Sequence, residues 1–203
     1  MWCSNQSVVT LSGSTIQGND AALGGDILLR KNSQLVLEGT NNAGEVTLLH
    51  LGTSLVFSPN SLFLVNDSLS PAEQGSLGFD VDAFDSPVPL VVNGTLIRQG
   101  SLSVTNDSGS LSSAIVGDIV SLLEATTLSQ STFDSIVLPQ MPEGLGLQTI
   151  QQPLKGGNTS IAIEVVEDVG ADFDEPIVAP LDGTPVDIIS FDIEGDGKDE
   201  IAI

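Results

Sequence analysis

The fold is decided by the stretch from Val8 to Asp67, which reads VVTLSGSTI (8–16), DILLRKNSQLVLEG (26–39), EVTLLHLGTSLVFS (45–58) and SLFLVND (61–67). Short runs rich in Val, Ile and Leu are broken by Gly, Asn and Ser, and turn-bounded runs of this kind form strands. Val8, Ile27 and Val46 lie 19 residues apart, Ile16 and Leu35 repeat the spacing, and Leu55 or Val56 follows one or two residues late. A fixed period of strands is the mark of a solenoid, because one coil cannot bury its apolar side until a neighbour stacks on it. The spacing therefore predicts an all-β parallel β-helix. A β-sandwich with hairpins of similar length would produce nearly the same pattern, and both remain open on periodicity alone.

The 203 residues carry 27 acidic and five basic side chains, a net charge of −22, with 40% hydrophobic residues. That hydrophobic share is too high for a chain that stays disordered throughout. Arg30, Lys31, Arg98, Lys155 and Lys198 are too few to neutralise many phosphates, which argues against nucleic acid and anionic membrane surfaces as partners. No run approaches the roughly 18 apolar residues of a spanning helix, so no membrane insertion by this segment is expected. The opening MWCSNQSVVT has no basic region followed by an apolar one, and strand patterning begins by Val8, so the chain reads as a fragment of a larger protein. Cys3 is the single cysteine, which leaves no internal disulfide and no cysteine zinc site.

Within the patterned region, STIQGNDAALGGDILLRKNSQLVLEG resembles a coil of the right-handed β-helix repeats of bacterial surface proteins and autotransporter passengers. Asn19, Ala21, Gly24 and Gly25 occupy the family's Asn, Ala and paired-Gly places ahead of a strand, with Gly18 where an aromatic or Ile is usual. Residues 75–167 are similar to the closing region of those proteins: a strand with Phe79 and Asp80, the VVNGTL turn, a Gly-Asp before SLLEA, the FDSIVLP strand, a Pro-Glu-Gly turn and a last apolar strand. The resemblance implies a right-handed parallel β-helix over residues 1–74 and a β-rich cap over 75–167. A cap is physically sensible, since an open stack of backbone groups invites edge pairing.

Composition changes at Glu164. Residues 164–203 hold 13 carboxylates and one cation, against 14 and four before them. An acidic, Pro-containing linker is expected over 168–185. Beyond it, FDIEGDGKDEIAI places Asp192, Glu194 and Asp196 at positions one, three and five of a loop, Gly197 at the reversal, the Lys198 carbonyl at seven and Glu200 at nine. A hard dication such as Ca²⁺ takes about six to eight oxygens, and this spacing supplies them from one tight loop. The apolar flanks ISF and IAI make the unit strand, loop, strand. It resembles the calcium loop of FG-GAP or VCBS repeats, which implies an incomplete β-propeller-type hairpin over 186–203 with Asp192, Glu194, Asp196, Lys198 and Glu200 as metal ligands.

Other residues could carry chemistry. Asp80, Asp82 and Asp85 in FDVDAFD could offer paired carboxylates, with Asp80 and Asp82 on one strand side and Phe79, Val81 and Phe84 suggesting burial of the other. A solvated strand face explains the same pattern. His50 lies between apolar neighbours, as a packing or surface residue would. Five Asn-x-Ser/Thr triplets, at Asn5, Asn66, Asn93, Asn106 and Asn158, could accept glycans only in a eukaryotic secreted protein. The expectation is a non-catalytic structural or adhesive fragment of a secreted or cell-surface protein, with Ca²⁺ as cofactor and carbohydrate or surface proteins as partners. The alternatives are an extracellular polysaccharide-active β-helix enzyme, lyase or glycoside hydrolase, with its main site outside the fragment, and an acidic carbohydrate-binding sandwich.

Overall fold

The computed structural model describes residues 1–19, 25–48, 52–71, 75–82, 88–107, 109–129, 132–168, 189–191 and 200–202. The chain forms two compact units, Met1–Val169 and Gly170–Ile203.

In the first unit the strands come three to a coil. The first coil has β1 (Trp2–Cys3), β2 (Val8–Ser12) and β3 (Thr15–Ile16), and the second has β4 (Ile27–Leu29), β5 (Gln34–Glu38) and β6 (Thr40–Ala43). The third has β7 (Val46–Leu48), β8 (Ser54–Phe57) and β9 (Leu62–Val65), and β10 (Ser68–Pro71), β11 (Ser76–Asp80) and β12 (Leu90–Ile97) follow. Then come β13 (Ser101–Thr105), β14 (Ile119–Ser129), β15 (Ser135–Val137), β16 (Leu145–Pro153) and β17 (Thr159–Glu167). Like strands stack in parallel. β1, β4, β7 and β10 make one face, β2, β5, β8, β11, β13 and β15 a second, and β3, β6, β9 and the first half of β12 a third. This is an all-β parallel β-helix, and the parallel pairing rules out a hairpin sandwich.

Alternation along each strand sends every second side chain inward. On the second face Val9, Leu35, Leu55, Leu77 and Leu102 share one level, and Leu11, Leu37, Phe57, Phe79 and Val104 share the next. From the second coil onward all of these are buried. Phe57 and Phe79 stack with ring centroids 4.6 Å apart and planes 6° from parallel, a geometry that adds to the area they bury.

The expected 19-residue period holds for one step only. Ile27 does stack on Val46, but Val8 lies beside Gln34, Ile16 beside Ala43 and Leu35 beside Leu55. Along the second face the spacings from Val9 to Leu102 are 26, 20, 22 and 25 residues. Register is fixed by the inward residues, while surface corners absorb insertions at small entropic cost.

The corners have their own stacking rules. Between the first and second faces the backbone turns through left-handed residues, Asn5 and Gln6 in one coil and Lys31 and Asn32 in the next, with φ from 55° to 62°. At the following level stands Gly52, φ 73°, where a Cβ would lie 2.3 Å from Asn32 Oδ1. At a later corner the turn disappears into a bulge. β12 pairs with β9 through Leu90–Val92 and with β10 through Thr95 and Leu96, and its register against β14 shifts between Val92 and Thr95. Gly94 sits in that shift because a Cβ there would meet the Asp67 carbonyl oxygen at 1.6 Å.

The stack closes by reversal. β17 runs antiparallel to β14, and β16 antiparallel to β17. A short turn joins β16 and β17, with Leu154 N–H donating to Asn158 O at 2.8 Å. Parallel strands would have needed a long crossover.

In the second unit, β18 (Ile189–Phe191) and β19 (Glu200–Ala202) pair antiparallel.

Candidate functional site

The sequence places its strongest chemistry between β18 and β19. Phe191 pairs with Glu200, so the strands meet where the acidic loop leaves and returns. Glu200 opens β19, whereas Asp192, Glu194, Asp196 and Lys198 lie outside the described residues. The two strands expected to flank the acidic stretch are therefore present.

The second carboxylate group is on the solenoid. Asp80 ends β11 and Asp82 follows it, with Phe79 and Val81 buried on the opposite side as the alternation predicts. Asp80 Oδ1 accepts the Asp107 N–H at 3.2 Å, and Asp82 Oδ2 accepts Asn60 Nδ2 at 3.4 Å. Both carboxylates thus tie one coil to the next. The cavity beside them, lined by Asn60, Phe79, Asp82, Pro89 and Leu122 among others, has a volume of about 20 Å³, enough for a single water and far below a sugar ring. Asp85 and Phe84 lie outside the described residues, as does His50.

Two buried polar residues escape a reading of the sequence, because each resembles an ordinary turn residue. Asp26, 3% exposed, accepts the Asn19 N–H and Asn19 Nδ2 on Oδ1, both at 2.9 Å, and the Gly44 N–H on Oδ2 at 2.6 Å. Burial pushes this carboxyl up, and the hydrogen bonds from Asn19, Gly44 and Glu45 more than offset it, so Asp26 titrates below the usual aspartate value. Asn19 and Gly25 belong to the repeat pattern, and Asp26 is the position after Gly25. Asn41, fully buried, accepts the Ser14 N–H at 2.9 Å and donates from Nδ2 to Glu38 O at 2.8 Å and Leu11 O at 3.4 Å. Buried Ser33 likewise reaches Cys3 O at 3.1 Å. Each bonds across a coil boundary, and the low polarity inside the stack makes leaving such a group unpaired costly.

Three of the sequon asparagines also bond between coils. Asn93 Nδ2 donates to Asn66 Oδ1 at 3.3 Å, and Thr126 Oγ1 lies within hydrogen-bond distance of Asn93 O (3.0 Å) and Asn158 Oδ1 (3.2 Å). Cys3 is buried in the core, and that burial pushes its thiol pKa up, away from the reactive thiolate. Near the cap, Arg98, Phe133, Ile136, Ile150, Gln151 and Ile161 help line an open groove of about 190 Å³, where Arg98 donates to Gln151 Oε1 at 3.0 Å. Burial lowers the Arg98 pKa. Among the described residues, no three His, Cys, Asp or Glu side chains come together to hold a metal ion, and no helix is long and apolar enough to cross a membrane. No protein-family model, curated protein or solved structure matches the chain.

Proposed function

We propose that this chain is a non-catalytic structural or adhesive segment of a secreted or cell-surface bacterial protein, of the autotransporter-passenger type of β-strand repeat, ending in an FG-GAP-like calcium loop. The observation that carries the structural part is the use of its buried polar groups: Asp26, Asn41 and Ser33 all bond across coil boundaries. Asp80 and Asp82, the candidate catalytic pair, bond in the same way. A scaffold whose polar groups lock coil to coil suits load-bearing or display. Carbohydrate or other surface proteins are the partners this role implies.

The Phe191–Glu200 pairing supports the calcium part, since it brings the two ends of the acidic loop to neighbouring strands. Asp192, Glu194, Asp196 and Glu200 would hold the ion through carboxylates and Lys198 through its carbonyl. Bound Ca²⁺ would supply charge neutralisation within a segment of 13 carboxylates and one cation. Oxygen-rich extracellular modules of this kind bind at about 10⁻⁴ to 10⁻³ M.

Calorimetric titration of the whole chain with Ca²⁺ tests that part: heat of binding in this range is expected, and its persistence in a D192N/D196N variant would place the ion elsewhere. A glycan panel with and without Ca²⁺, scored for binding and for cleavage products, tests the other. Products lost in Asp80→Ala or Asp82→Ala would overturn the structural reading in favour of a polysaccharide-active enzyme.

A further inference from the structure

One column of inward side chains on the second face runs Leu35, Leu55, Leu77, Leu102, Ile136. The four leucines are fully buried, whereas Ile136 is 40% exposed. The bore of the solenoid is therefore still open on this side at the level of β15. On the opposite wall β16 returns with Gln151 beside Ile161 and Thr149 beside Ile163. Directly opposed residues of an antiparallel pair share a face of the sheet, so the face that carries two buried isoleucines carries an amide and a hydroxyl on its last strand. A strand that closes an apolar stack would be expected to repeat Ile or Val there, and departures from a local rule gather at functional sites.

Between these walls lies the open groove of about 190 Å³. Its apolar part is made by the buried Phe133 and Ile161 together with Ile136, and its polar part by Thr149, Gln151 and Arg98. Arg98 is tethered by its N–H to Ser129 O at 3.0 Å, and its Nη1 donates to Gln151 Oε1 at the same distance. A neutral amide orients the guanidinium without cancelling its charge. The group stays protonated at neutral pH even where burial lowers its pKa. Among the described residues, no carboxylate lines the groove, and the acid next to Phe133, Asp134, accepts the Gly100 N–H on Oδ2 at 2.7 Å. The net charge of −22 is screened beyond about 8 Å at physiological ionic strength, so the guanidinium sets which ligand charge the groove favours. A volume about six times the share of one liquid water suits a body of a few carbons.

We propose that this groove binds a small monocarboxylate with a compact apolar body, its carboxylate on the Arg98 guanidinium and its hydrocarbon against Ile136 and Ile161. The planar fork of Arg matches a carboxylate, and the apolar side chains gain from covering hydrocarbon that water would otherwise surround.

Ligand-observed NMR titration of the whole chain with 4-methylpentanoate tests this, with 4-methylpentanamide and glucuronate as the other two arms. The expected result is saturable binding of the acid with a Kd of about 1 mM or tighter, binding of the amide weaker by at least about tenfold, and no binding of glucuronate in that range. Arg98→Gln should bind acid and amide equally, a loss of discrimination that a change in packing alone would not produce. Ile136→Glu, at an exposed position, places a carboxylate on the rim and should abolish binding of the acid while melting as the wild type does. This variant and the comparison of acid with amide decide the matter even where Arg98→Gln fails to fold. Equal binding of acid and amide by the wild type, or discrimination that survives Arg98→Gln, would overturn the role of the charge. Tighter binding of glucuronate would overturn the apolar body, and no binding at about 10 mM acid would overturn the whole proposal.

Discussion

At one end of the stack Val9, Leu11 and Ile16 point inward and remain partly exposed, while at the other Leu123, Ala125, Ile161 and Ile163 point inward and are buried. The side chains are of one kind, so the difference comes from what lies beyond them. Among the described residues, no further strand pairs with the outer side of the first coil. β14 has β17, which reverses direction, and β16 pairs beyond it. The cap is one-sided: Ser135–Val137, the last strand of the second face, is exposed throughout. Closing a solenoid thus depends on reversing the chain as much as on adding apolar residues, because a reversed strand reaches its neighbour through a short turn.

Core truncations give the largest expected contrast. Leu123→Ala at the capped end should lower unfolding free energy by about 2–5 kcal/mol, the range for a buried leucine. Leu11→Ala at the open end should cost less than half as much, since its site is already partly hydrated. Denaturant midpoints at constant slope measure both, and equal losses would show that the first coil is covered in solution.

Next comes Gly94→Ala at the bulge. The added methyl meets a backbone carbonyl rather than a movable side chain, so a loss of about 3 kcal/mol is expected, at the upper end of overpacking costs. Little change in the melting curve would mean that β12 can shift past Asp67.

Asp26→Asn turns a carboxylate that accepts the Gly44 N–H into an amide that faces it with a donor in one orientation, and a loss of about 1.5–3 kcal/mol at neutral pH is expected for hydrogen bonds to a charged group. The Asp26 pKa is lowered in the folded protein. Its stabilisation is therefore present above the ordinary aspartate pKa and disappears as pH falls through the folded value. The gap between wild type and variant should close on acidification, and a gap that widened would reverse the assigned sign.

Smallest is the effect on amide exchange. Val8 and Thr10 amides, facing away from β5, should exchange freely, while those of Leu35 and Leu37 should wait for larger openings. Protection of Thr10 equal to that of Leu35 would show that the first coil is covered in solution.

How much of this could be read beforehand differs by feature. The strands around Leu35, Leu55 and Phe57 were legible from alternation, and so was the buried side of Phe79 and Val81, whereas the parallel solenoid was one of two folds that the periodicity left open. The 19-residue period was legible only between Ile27 and Val46. Elsewhere the corners vary in length, and corner length leaves no trace in an alternating pattern. The flanks of the acidic loop read correctly as strands, while the ligands Asp192, Glu194, Asp196 and Lys198 fall outside the described residues. Asp26 and Asn41 carried no signal of burial, because turns are full of Asp and Asn.

Where strands form, which of their side chains face inward and where acidity concentrates follow from the amino-acid sequence alone, since all three are local: alternation follows from the pleat, and charge from composition. Which strands pair, that Asp26 and Asn41 bond across coils, and that β17 and β16 reverse direction beyond β14 emerge only in the tertiary structure. Those depend on contacts between residues some 20 to 35 positions apart, where the register that buries the most apolar surface and leaves the fewest backbone groups unpaired prevails over any simple period.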